Sequence, residues 1–469
     1  MSGEGDLFVG IDLGTQGVRA LVADIEGTVL GAGAAPVPDD RHDDAHEQSA
    51  QSWWDAAAIA CRQAVARIAA ERITAVATCG TSGTIVLVDA DGEPVTQALM
   101  YDDGRAAPQA RRLGMATSWA LPKLHWFLEH EPATRRPAVR VAHQPDIVTS
   151  RLVGHPVATD ASHALKTGYD AGRGCFEDHG SEDVRHLLPG VVAPGTQLGE
   201  VSAQATAQTG LPSGAAVIAG MTDGCAAQIA AGALRPGDWN SVLGTTLVLK
   251  GCSDERIDDP THGVYSHRSP DGGWLPGGAS SSGAGVLPQR FPGRDLDELG
   301  RRAADHEQTR VLAYPLVSRG ERFPFAAPAA EGFMLGTPAD EGEHAAALMQ
   351  GVALVERLCF DALGQLGAPL AGELTLTGGA TRNRAWSQLR ADALNRPVRL
   401  PERAESAFGM AILAAAAARG EPVAGAAARM SHTREVIDPR ASPRAHLDEQ
   451  YARLIDELER RGWLISARC

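Results

Sequence analysis

Several familiar signatures are missing from this chain, and each gap removes a class of function. Its seven cysteines, at 61, 79, 175, 225, 252, 359 and 469, stand singly with no CxxC pair. That argues against a zinc site or a disulfide framework and suits a reducing compartment. Basic clusters are missing too, and the formal net charge is −15, so the electrostatic footprint of a nucleic-acid binder is absent. No apolar stretch reaches membrane-spanning length, and Met1 to Phe8 lacks the charged and apolar regions of a signal peptide. A cytoplasmic protein whose partners are small molecules is expected. The two common nucleotide cradles, G-x-x-x-x-G-K-[ST] and G-x-G-x-x-G after a strand, are also absent.

The chain has 469 residues, 44% of them hydrophobic, enough for a large core divided between two domains. Leu7 to Ile11 and Val18 to Ile25 predict two strands around a Gly-Thr turn. The same pattern returns half a chain later, with Ser241 to Leu243 and Leu247 to Leu249 flanking Gly244-Thr245-Thr246, as expected for duplicated domains. Helices are predicted over Trp53 to Ile68, with Ser49 or Ser52 as cap, and over Pro122 to His130 and Ala345 to Leu363. Strands are predicted at Ile73 to Ala77, Ala215 to Ala219 and Glu373 to Thr377. The class is α/β. Ala171 to Val201, rich in Gly, Pro and charge, reads as an insertion or long connection, and a domain boundary is expected after Gly232.

Three segments carry chemistry. The turn Gly10-Ile11-Asp12-Leu13-Gly14-Thr15-Gln16-Gly17 offers backbone N–H groups and the Thr15 hydroxyl to a phosphate, and Asp12 is placed to orient a hydrated Mg²⁺; an ordinary hairpin turn is the alternative. Gly220-Met221-Thr222-Asp223-Gly224 sets one carboxylate between a strand and the small-residue helix Cys225 to Ala231. Asp223 there is either a helix N-cap or the group that accepts a hydroxyl proton in phosphoryl transfer. Thr377 to Trp386 (TGGATRNRAW) runs from a strand end into a helix, and its paired glycines suit a flat adenosine ring or only relieve crowding. Asp39 to His46 (DDRHDDAH) mixes carboxylates and histidines without a regular ligand spacing, so a solvated loop is favoured over a metal site.

Taken in order, these segments resemble the FGGY family of carbohydrate kinases. The quoted matches are G-I-D-L-G-T at 10–15, G-M-T-D-G at 220–224, L-G-T-T at 243–246, the run from Gly378 to Val398, and E-S-A-F-G-M-A at 405–411. The resemblance implies two ribonuclease-H-like, actin-like ATPase domains flanking a deep cleft. Residues 1–233 would be the sugar-binding side with the first phosphate hairpin, and 234–469 the ATP-binding side. It implies ATP and Mg²⁺, with Asp223 as general base and Asp12 on the magnesium side, acting through water. Gly14, Thr15, Gln16, Gly244, Thr245 and Thr246 would hold phosphate, and Gly378, Gly379, Ala380 and Asn383 the adenosine.

On the acceptor side, T-S-G-T at 81–84 replaces the Gln-Met-His-Gly-like stretch of xylulose kinases and the Arg-Glu pair of glycerol kinases. With M-Y-D-D-G-R-A, L-P-K-L-H-W, H-Q-P-D, A-L-K-T-G-Y-D and G-E-R-F-P-F, it resembles the D-ribulose kinase branch. The expected reaction is D-ribulose to D-ribulose 5-phosphate, with D-xylulose or another ketose or polyol as the alternative. Thr81, Ser82, Tyr101, Asp103 and Asp223 are the candidate sugar contacts. Against them stand a core role for Tyr101, an ion pair of Asp103 with Arg105, and turn duty for Thr81 and Ser82. An ATP-driven actin- or chaperone-like protein and a silent sugar sensor are the readings of a different class. A monomer or homodimer is expected.

Overall fold

The computed structural model describes residues 5–131, 138–177 and 182–464. They divide into two compact units, one of residues 1–232, 267–272 and 403–432, the other of 233–266, 273–402 and 433–469. The second break differs from a simple division at 233/234, because residues 403–432 pack with the N-terminal strands.

In the first unit β1 (Leu7–Gly14), β2 (Gly17–Asp24) and β3 (Val29–Pro36) precede helix α1 (Ala50–Val65), followed by β4 (Ile73–Gly80), β5 (Gln197–Glu200), β6 (Ala216–Ile218) and helix α2 (Asp223–Ala230). The sheet runs β5-β6-β4-β1-β2-β3. β1 pairs antiparallel with β2 and parallel with β4, which pairs parallel with β6. A strand buried on both faces is apolar nearly throughout, and every residue of β1 from Leu7 to Leu13 is buried. The expected connection at 171–201 therefore ends in a true edge strand, β5. Ser49 occupies the N-cap of α1 without a side-chain cap bond, and the Ser52 hydroxyl donates to its carbonyl.

The 405–411 segment acquires a physical meaning here. It begins the helix Ser406–Arg419, buried from Ala407 to Ala416, which lies directly on β1 and α2. A Cβ on Gly10 would sit 1.7 Å from the Ala407 carbonyl oxygen, and one on Gly409 1.9 Å from that of Ala226. Glycine at both positions is what lets the backbones meet.

The second unit repeats the arrangement. β7 (Trp239–Leu243), β8 (Leu247–Gly251) and β9 (Trp274–Ser280) form antiparallel pairs, followed by α3 (Glu341–Gln365), β10 (Leu374–Thr377), α4 (Arg384–Leu394), β11 (Val398–Pro401), β12 (Thr433–Ile437) and α5 (Arg444–Arg460). These strands run β9-β8-β7-β10-β11-β12, with β10 parallel to β7 just as β4 is parallel to β1. The duplication suggested by two short turns thus extends to sheet topology. Its core packs Trp239, Phe360, Leu376, Trp386 and the apolar face of α3.

Candidate active site

The first unit gathers its polar chemistry where parallel strands end. Asp12 on β1 lies beside Cys79 on β4, and Gly80 bridges to Thr222, just beyond β6. In parallel sheets this carboxyl edge is where ligands collect. Thr222 is the N-cap of α2 and Asp223 its first helical residue, with Asp223 Oδ1 accepting the Gly224 N–H at 2.6 Å. Thr222 thus holds the N-cap position without a side-chain cap bond, and Asp223 spends one carboxylate oxygen on the N–H that follows it.

Asp12 is 8% exposed. Its Oδ1 lies 3.5 Å from the Cys79 thiol, and its Oδ2 lies 3.8 Å from Arg19 Nη1, on a side chain that is 71% exposed. Burial first, then the negative charge of Asp223, pushes the Asp12 carboxyl up to about 6, with Cys79 and Arg19 only partly opposing. Burial and the same two carboxylates push the Cys79 thiol well above its ordinary range, so at neutral pH it remains a protonated donor. A buried carboxylate beside a second negative charge is a place that favours a cation. Among the described residues no group of three or more His, Cys, Asp or Glu could hold a metal ion. One buried carboxylate such as Asp12 suits an ion that keeps several of its own waters, as Mg²⁺ does.

The turn between β1 and β2 is tied from inside. Gln48 Nε2 donates to the Thr15 carbonyl at 2.7 Å, and the Val37 N–H donates to that of Gln16. Because C=O and N–H point oppositely across a trans peptide, the Gln16 N–H faces away from Gln48. Thr15 and Gly14 are half-buried and Gln16 exposed. The Tyr101 side chain hydrogen-bonds to that of Thr15 and senses both Asp102 and Asp223; burial, then these charges, push its phenol upward.

The second unit builds a matching turn. Ala284 and Gly285 N–H groups donate to the Gly244 and Thr245 carbonyls, each at 3.0 Å, so the N–H groups of Thr245 and Thr246 face the other way. At the end of β10, Gly378 has φ +89°, and a Cβ there would lie 2.5 Å from the Leu243 carbonyl oxygen. The chain can pass only as glycine. Gly379 has open space above it and Ala380 is partly buried. Asn383 instead caps α4, its Oδ1 accepting the Trp386 N–H at 3.0 Å. That is a structural duty where an adenosine contact was expected.

Comparison with known proteins decides what these units are. The model of the FGGY family of carbohydrate kinases matches residues 7–230 with its N-terminal domain and 239–418 with its C-terminal domain. This chain is an FGGY carbohydrate kinase. It is 34% identical over 454 residues to a xylulose kinase of Streptomyces coelicolor, covering 91% of each chain, and 33% identical over 456 residues to that of Streptomyces rubiginosus, with the same coverage. The solved xylulose kinase of Rhodospirillum rubrum superposes with a TM-score of 0.87 at 24% identity, covering 97% of this chain and 99% of that one; it shares the two-domain, actin-like ATPase fold. The protein is thus a sugar kinase that uses ATP.

Within this FGGY kinase the expected sugar contacts separate. Asp103 is fully buried, accepting from the His46 and Arg105 N–H groups and from the Arg105 guanidinium; the ion-pair alternative replaces the sugar contact. Thr81 Oγ1 bonds to Thr84 Oγ1 and Gln144 Oε1 at 2.6 and 2.8 Å, which spends it on the turn. Ser82 Oγ is enclosed and meets no hydrogen-bond partner among the described residues. Tyr101 keeps 36% of its surface exposed and, with Asp223, remains at the carboxyl edge. The mixed Asp39–His46 segment is an ion-pair cluster, with His46 held 2.5 Å from both Asp39 and Asp102.

Several residues that build the site carried no sequence signal of their own. Gln48 lies just before α1, where its amide fixes Thr15 while its carbonyl accepts the Trp53 indole N–H at 2.7 Å. Lys123, fully buried, donates to the carbonyls of Tyr101, Thr117 and Trp119. Burial and Lys166 lower its ammonium to about 7, but three donors meeting three acceptors favour the charged form.

Proposed function

We propose that this enzyme transfers the γ-phosphoryl group of ATP to a hydroxyl of a ketopentose, with Asp223 as general base. The observation carrying the proposal is the convergence of Asp223, Asp12 and the Thr15 turn at one strand edge, where the Asp223 charge acts on both Asp12 and Tyr101. Asp223 accepts the proton as the sugar hydroxyl attacks phosphorus. Each unit's turn offers its own outward N–H groups to phosphate oxygens, and Tyr101 bounds the acceptor side beside Thr15. When bound, Mg²⁺ supplies neutralisation of charge on the phosphates, with Asp12 holding it through water. Positioning does most of such a reaction. A reducing, cytoplasmic setting accords with the six free cysteines of the described residues.

D-ribulose is the acceptor suggested by the 81–84 segment and its companions; D-xylulose has equal support, from the substrates named for the relatives. Coupled ADP release over D-ribulose, D-xylulose, their epimers, polyols and glycerol distinguishes them. Higher kcat/KM for D-xylulose removes D-ribulose. Asp223→Ala is expected to fold and to retain almost no sugar-dependent ADP release; wild-type turnover would remove Asp223 from the base role.

A further inference from the structure

Behind Asp223 lies a buried polar network that neither nucleotide nor sugar needs to touch. Asp160, 4% exposed, caps the short helix Ala161–Ala164 by accepting from the N–H groups of Ser162 and His163 at 2.8 and 3.1 Å. Capping requires no more than that. The same carboxylate also takes the Ser162 hydroxyl proton at 2.5 Å and pairs with His163 Nδ1 at 2.5 Å. Having donated to Asp160, Ser162 Oγ can only accept from its other neighbour, which is the Thr222 N–H at 2.9 Å. His163 Nε2 lies 3.3 Å from the Gly80 carbonyl. Gly80 and Thr222 are themselves bridge partners, and Asp223 follows Thr222 directly. The network therefore holds both sides of the strand junction from which the base projects.

We infer that Ser162, oriented by Asp160 and His163, is a positioning residue for Asp223, fixing the Thr222 peptide and so the carboxylate that follows it. The inference rests on the base role proposed above. Ser162, Asp160 and His163 are each buried, so the effect passes through the backbone. A displacement of about 1 Å at a reacting group lowers turnover by up to about 100-fold.

The test is steady-state kinetics of Ser162→Ala, which leaves the Asp160 cap intact, alone and combined with Asp223→Asn. Expected are a loss of kcat of about tenfold or more, a KM for ATP within about twofold of wild type, and no additional loss when Ser162→Ala is added to Asp223→Asn. Ser162→Cys, of similar size but a poorer acceptor, gives an intermediate kcat and carries the test if the alanine variant fails to fold. Wild-type kcat in Ser162→Ala beside an inactive Asp223→Asn overturns the positioning role alone. Full turnover in Asp223→Asn overturns the base reading and this inference with it. Equal fractional losses in both backgrounds indicate a general structural effect and also overturn it.

Discussion

Glu356 and Arg390 are both 0% exposed, and their ion pair joins α3 to α4 within the second unit. Arg390 Nε and Nη2 reach Glu356 at 2.6 and 2.9 Å, and the Ser241 hydroxyl completes the set, donating to Glu356 at 2.6 Å while accepting from Arg390 Nη2 at 2.8 Å. Arg390 Nη1 is buried with no partner. Glu356→Gln leaves a guanidinium without its counter-charge, a loss of about 3 to 5 kcal/mol. Replacing the pair by Glu356→Leu and Arg390→Met removes both desolvation penalties and exchanges the orphaned nitrogen for the buried Ser241 hydroxyl, left unsatisfied at a similar cost of about 1 to 3 kcal/mol. The double variant should then lie within about 1 kcal/mol of wild type or above it. Urea denaturation of wild type, both singles and the double gives the cycle directly. A Glu356→Gln loss under about 1 kcal/mol, or a double variant less stable than either single, refutes the reasoning. Ser241 lies on β7 three residues before Gly244, and Arg390 on the helix that follows the Gly378 turn, so the single variants should also raise the KM for ATP.

Gly10→Ala drives a methyl against the Ala407 carbonyl; since backbone must move, the expected loss is about 3 kcal/mol or more, seen as a lowered Tm, and an unchanged Tm would show that the helix Ser406–Arg419 is not seated on β1. His163 is pulled down by burial but raised on balance by Asp160. A raised histidine contributes stability that is complete below its unfolded value of about 6.5 and is lost as pH climbs through the folded value. The stability gap between wild type and His163→Gln should therefore shrink from pH 6 upward, and a gap that widens would reverse the assignment.

The α/β class and both Gly-Thr turns were legible because hydrophobic runs and glycine turns are local in sequence. Asp223 was legible as a carboxylate at a strand-to-helix junction; that Thr222 rather than Asp223 holds the N-cap position depends on one backbone angle and was not. Asp103 and Thr81 looked like sugar contacts, since a polar residue near a cleft motif looks the same whether it faces ligand or protein. Arg105 and Gln144 decide the matter, 2 and 63 residues away. Asn383 carries an N-cap duty that its sequence position did not reveal, because asparagine suits both a ring contact and an N-cap. The 405–411 signature could be matched, but its role, a helix of small residues laid on β1, needs Gly10 nearly 400 residues earlier.

The two turns reach the same end by different means. In the first unit a side chain, Gln48, holds the Thr15 carbonyl, and its own orientation is set by the Trp53 indole. In the second unit backbone N–H groups of Ala284 and Gly285 do that work, and a Cβ on Gly283 would fall 2.3 Å from the Thr245 carbonyl oxygen. A side-chain tie can be lost by any substitution of Gln48, whereas a backbone tie fails only when the chain cannot approach. Asymmetry of this kind follows from the surroundings: the first turn stands beside polar acceptor segments such as Tyr101, where a reorientable amide satisfies both Thr15 and Asp39, while the second is closed by a glycine-containing strand exit with no room for a side chain. Each unit thus turns the N–H groups of its own turn away from the interior, but different groups enforce that direction in each.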